Sequence, residues 1–113
     1  METLLMDKLK KELVARLERI PGIRHIPYPD RDDGFSGLVF QDREIGHFHD
    51  FNELDLRLGK ALIKREGLTH PSGSRVHPGR RAGSPYIELR FDREQDLDRI
   101  VRLVTLLVET SPP

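Results

Sequence analysis

From Thr3 to Ile20 the apolar residues Leu5, Leu9, Leu13, Leu17 and Ile20 recur every three or four positions, while Lys8, Lys10, Lys11, Glu12 and Arg16 fill the other side. That spacing predicts an amphipathic helix over 3–20. Pro21-Gly22 ends it, because proline withholds a donor and glycine permits a left-handed exit. Residues 23–26 read as a short edge strand at most, since Pro27, Pro29 and the charged run Asp30-Arg31-Asp32-Asp33 cannot carry a ladder onward. The period then falls to two. Leu38-Val39-Phe40 and residues 44–49 read as the arms of a hairpin joined by Gln41-Asp42-Arg43. Leu54-Asp55-Leu56-Arg57-Leu58 alternates strictly, which predicts a half-buried strand with three leucines inward and Asp55 and Arg57 in solvent.

A short helix over 60–66, closed by Gly67, offers Ala61, Leu62 and Ile63 to the core. Residues 68–85 are rich in glycine, proline and serine with little apolar besides Val76, and predict a long loop. Alternation resumes over 86–91, with Ile87, Leu89 and Phe91 inward and Glu88 and Arg90 outward. Asp92, with Gln95 as the reciprocal half of a capping box, opens a last helix whose apolar face is Leu97, Ile100, Val101, Val104, Leu107 and Val108. There is no repeat and no second composition block. The expectation is a single α+β domain over 1–113, a two-layer sandwich of mainly antiparallel sheet with helices on one face, in the order α-β-β-β-α-β-α.

Composition narrows the function classes. The 19 basic and 19 acidic residues of this 113-residue chain cancel, so no net field draws it toward nucleic acid or membrane. Its concentrated basic patch is the glycine-rich loop carrying Arg75, Arg80 and Arg81, which lacks the interleaved aromatics of single-strand binders. Nucleic acid is disfavoured as a partner. Without cysteine there is no disulfide framework, thiolate nucleophile or cysteine zinc site, leaving His, Asp and Glu as metal ligands and fitting a cytoplasmic location. Charges spaced through the first eight residues do not read as a signal peptide, and no apolar run approaches the roughly 20 residues of a membrane span.

The richest chemistry lies in Arg43-Glu44-Ile45-Gly46-His47-Phe48-His49-Asp50. On a strand, His47 and His49 share a face. If Phe48 and the leucines of 54–58 pack under the helices, the pleat sends His47, His49, Asp55, Arg57, Glu88 and Arg90 to the opposite face. One reading is a solvated sheet surface held by cross-strand pairs such as Arg57 with Glu88. A second is a metal site of the zinc class, with His47 and His49 as ligands and Asp55, Asp50 or His70 as the third. A third is acid–base chemistry by a histidine held beside Asp55. No nucleophile elbow accompanies Ser36, Ser72, Ser74 or Ser84, and His25 reads as an ordinary edge residue.

The run Gly37-Leu38-Val39-Phe40, then Arg43-Glu44-Ile45-Gly46-His47-Phe48-His49, Leu54-Asp55-Leu56, a helix closed by Gly67, and His70 ahead of a last strand and helix resembles the small bacterial and fungal luciferase-domain family. The likeness covers about 34–108. It implies recurring positions at Gly46, His47, His49, Asp55 and His70. The chain departs from the family where Gly83-Ser84-Pro85-Tyr86 stands in place of a Ser-Gly-Trp-like strand start. The sequence carries no flavin, nicotinamide or oxygenase signature to go with the family name. Three classes stay open: a binding module that takes a small-molecule or protein ligand on the His/Asp face, an enzyme using the same cluster for acid–base or metal-assisted hydrolytic work, and a homo-oligomeric assembly domain.

Overall fold

The N-terminal leucine period seats the first helix. In the computed structural model, which describes residues 2–50, 52–69 and 83–110 and side chains from Asp7 onward, α1 (Glu2–Glu18) buries Leu9, Leu13 and Leu17. The chain then turns through Gly22, whose carbonyl accepts the Gln41 N–H at 3.0 Å and ties the helix exit to the hairpin turn. That turn is the two residues Gln41 and Asp42, at φ 50° and 67°. Paired positive φ values match the right-handed twist of the strands they join.

Five strands follow: β1 (Ile23–Pro27), β2 (Ser36–Phe40), β3 (Arg43–His49), β4 (Glu53–Leu56) and β5 (Ile87–Arg90), with α2 (Lys60–Arg65) between β4 and β5 and α3 (Glu94–Thr110) at the end. They form one antiparallel sheet in sequential order. The α+β architecture is as expected, but the order is α-β-β-β-β-α-β-α. Residues 23–27, omitted from the predicted order, pair with β2 at five positions because an edge strand tolerates the proline at its end.

One face of the sheet carries Leu38, Phe48, Leu54, Leu56, Ile87 and Leu89, all buried against the leucines of α1 and Leu97, Ile100, Leu103 and Val104 of α3. Leu62 and Ile63 of α2 join the same core. Arg16 Nη1 reaches Asp98 Oδ1 at 2.6 Å and ties α1 to α3 at the surface. At the start of α3 the side chain that accepts the Asp92 N–H, at 3.0 Å, is Asp96 and not Gln95, since the helix begins at Glu94 and Asp96 is its third residue. β4 stops at Leu56, two residues early, and Gly59 at φ 95° turns the chain toward α2. None of the described helices is long and apolar enough to cross a membrane.

The second face departs from expectation. Asp55 and Glu88, read as solvent-facing, are 1% and 4% exposed, and Glu53 is 3% exposed. β4 is an inner strand, so the short Asp55 side chain lies among the longer neighbours that β3 and β5 place beside it. This face is polar, with its carboxylates Glu53, Asp55 and Glu88 buried and Glu44 and Arg90 exposed beside them.

Candidate functional site

Strand register assembles the site. Gly37, His47, Asp55 and Glu88 stand opposite one another across β2, β3, β4 and β5, and the adjacent row on the same face is His49, Glu53 and Arg90. Gly46 allows the close spacing of β3 and β4: a Cβ there would stand 2.6 Å from the Asp55 carbonyl oxygen.

His47 is held from two sides. Its Nδ1 lies 3.0 Å from Glu44 Oε1, and its Nε2 lies 3.5 Å from Asp55 Oδ2. A carboxylate can only accept, so Nδ1 carries a proton and donates to Glu44. Nε2, the nitrogen turned toward Asp55, faces a second carboxylate, which suits either an N–H on that nitrogen or a cation between the two groups. The His49 ring stands nearly perpendicular to His47, with centroids 4.6 Å apart. One donor atom from each of His47, His49 and Asp55 lies within 4.8 Å of the others. Glu44 was not singled out from sequence because strand residues three apart face opposite ways. The register shift between Leu38 and Val39 makes Gly46 and Glu44 successive partners and leaves Ile45 without one. That bulge returns Glu44 to the side of His47.

Aromatic rings frame the imidazoles. Phe35 stacks on His47 at 5.4 Å and meets His49 edge-on at 5.5 Å, while Tyr86 lies 6.2 Å from His47. Gly34 delivers Phe35: at φ 77°, and with a Cβ that would fall 2.2 Å from the Asp50 carbonyl oxygen, the position admits only glycine. Phe35 lies outside the predicted strands and carries no parity signal, whereas Tyr86 shares the parity of Glu88 and Arg90 in the alternation over 86–91 and so falls on the polar face. Tyr86 occupies the departure noted at 83–86.

Among the predicted residues, His47, His49 and Asp55 meet, and Glu88 lies beside Asp55 one strand away. Arg57 does not join them. It is exposed beyond the end of β4, and Glu88 pairs instead with Arg90 two residues along β5, whose Nε lies 3.0 Å from Glu88 Oε2 and 3.5 Å from Glu53 Oε1 across the strands. Glu88 and Arg90 also line a cleft of about 410 Å³ with Gly67, Leu68, Thr69 and Arg99. His70 and the basic loop of Arg75, Arg80 and Arg81 lie outside the described residues.

Among the described residues the remaining histidine, His25, sits on the core face. His25 Nε2 lies 2.8 Å from Ser36 Oγ, with its ring edge-on to Phe48 at 5.8 Å. Ser36 is buried, so this pair presents no accessible nucleophile. Burial, reinforced by the charge of Lys10 and opposed by Glu18, lowers His25 below the ordinary imidazole value. Burial likewise lowers Lys10, whose ammonium donates to the Gly34 carbonyl at 2.8 Å. Both residues line a second cleft, of about 440 Å³, along α1.

The family model described as Luciferase domain matches residues 42–106, which takes in β3, β4, β5 and most of α3, with Glu44, His47, His49, Asp55 and Glu88 but not Phe35. No curated protein and no solved structure matches the chain.

Proposed function

This chain belongs to the luciferase-domain family, and we propose that it is a binding domain whose ligand seats over His47 and His49 on the polar face of the sheet. The observation that carries this reading is convergence. Separate segments bring His47, His49, Asp55, Phe35 and Tyr86 to one half-buried spot, with Glu44 fixing one imidazole. Sites of this kind combine apolar walls with a few fixed polar groups. The cysteine-free composition fits work in the cytoplasm.

An assembly role is less well supported, because Tyr28 is the large hydrophobic side chain left exposed among the described residues. Stable self-association draws on a broader apolar patch. An enzymatic role would use the same cluster, with His47 and Asp55 as the acid–base pair.

Nuclear magnetic resonance with a mixed fragment library of aromatic carboxylates, phosphates and amines tests the reading. Fragments that shift His47, His49, Phe35 and Tyr86 together support it. Shifts confined to the α1 cleft around Lys10 and His25, or hits on no residue of the polar face, overturn it.

A further inference from the structure

We infer that His47, His49 and Asp55 form a binding site for one divalent transition ion of the zinc class, with Glu44 as the residue that orients His47. The inference rests on the binding-domain reading above and names its ligand.

Donor chemistry sets the class. Two neutral imidazole nitrogens and one carboxylate oxygen suit zinc and its neighbours, whereas magnesium and calcium call for oxygen donors throughout. Distance agrees. Zinc holds nitrogen and oxygen ligands at about 2.0–2.2 Å, which places two donors on a tetrahedral ion roughly 3.3–3.6 Å apart. The 3.5 Å between His47 Nε2 and Asp55 Oδ2 is close to that spacing and is long for a hydrogen bond. No separation in the set exceeds 4.8 Å, so binding an ion asks the widest pair to draw together by little more than about 1 Å.

The outer contact is the more telling part. A metal-bound histidine usually gives its other N–H to a carboxylate, which fixes the tautomer and makes the ligating nitrogen more basic. Glu44 does this for His47 at 3.0 Å, and the β3 bulge is what brings it there. Asp55 is 2% exposed at its side chain, whereas His47 is 19% exposed, so the ligand set has a buried floor and an open top. Three protein donors leave at least one coordination position to water or to a further ligand entering beside Phe35 and Tyr86.

Zinc chloride titrated into the full chain by calorimetry, with metal analysis after dialysis, tests this. The expected result is one equivalent of zinc, its uptake accompanied by joint shifts of the His47 and His49 imidazole resonances. His47→Ala and His49→Ala should each abolish saturable uptake. Glu44→Gln, on an exposed side chain whose loss leaves the core untouched, should weaken affinity about 10–100-fold. No uptake by the natural chain, or unchanged uptake in both histidine variants, overturns the site. Unchanged affinity in Glu44→Gln overturns its orienting role. If zinc fails while the fragment library still shifts His47 and His49, the metal proposal falls and the binding-domain reading stands.

Discussion

Gly46 and Asp55 lie so close across β3 and β4 that a Cβ on the glycine would stand 2.6 Å from the Asp55 carbonyl oxygen and 3.3 Å from the Leu56 Cα. Backbone cannot yield as a flexible side chain can. Gly46→Ala should therefore push the two strands apart where His47 faces Asp55, at a cost of about 1–3 kcal/mol. Urea denaturation measures that cost. A variant as stable as the parent would mean that the strands accommodate the methyl group without moving.

Leu56 and Arg57 are neighbours with opposite environments. Leu56 is fully buried between the sheet and the helices, so Leu56→Ala should cost about 2–5 kcal/mol, while Arg57→Ala on the exposed side should stay within about 0.5 kcal/mol. Comparable losses in the two denaturation curves would contradict this placement.

The alternation of Leu54, Leu56 and Leu58 made β4 legible, and the i, i+2 spacing of His47 and His49 made the centre of the site legible, because period and pleat are local properties of a strand. Asp55 shows where locality ends. Its parity put it on the correct face, but its burial depends on what β3 and β5 place around it, and no pattern within 54–58 carries that information. Glu44 fails for a related reason: a single bulged residue, Ile45, reverses the parity on which the face assignment rests. Phe35 reaches the histidines through Gly34, a long-range approach to Asp50 that the charged run before it gives no sign of. The edge strand β1 was undercounted because Pro27 and Pro29 weigh against pairing, yet an edge strand needs donors on one side alone.

His25 should make stability depend on pH. Its ring is packed against Phe48 and Ser36, with Lys10 and Glu18 as the charged groups facing it, and burial holds it below the ordinary imidazole value. The unfolded chain therefore binds a proton more readily than the folded one. The stability associated with neutral His25 is fully present above about pH 6.5 and is lost as pH falls from there toward the lowered folded value. Urea midpoints at about pH 8 and about pH 5 should show the natural chain losing more than His25→Gln over that interval. Parallel losses would assign the pH dependence to other groups.

Phe35 is expected to matter more for order at the site than for the stability of the fold. It stacks on His47, meets His49 edge-on, and is itself braced by Tyr28 at 5.2 Å and by the Arg31 guanidinium 4.2 Å from its ring centre. Contacts of this kind contribute about 0.5–1.5 kcal/mol beyond burial, so Phe35→Leu, which keeps apolar bulk, should destabilise the chain by no more than roughly that amount. The imidazoles lose their wall all the same. Side-chain relaxation measurements should show His47 and His49 sampling more ring orientations in Phe35→Leu, with the His47 motion limited by Glu44, which still holds its Nδ1 at 3.0 Å. Combining Phe35→Leu with Glu44→Gln should then release His47 further than either change alone. Imidazole order unchanged in the double variant would show that the β3 backbone alone fixes the rings and that neither the aromatic wall nor the glutamate positions them.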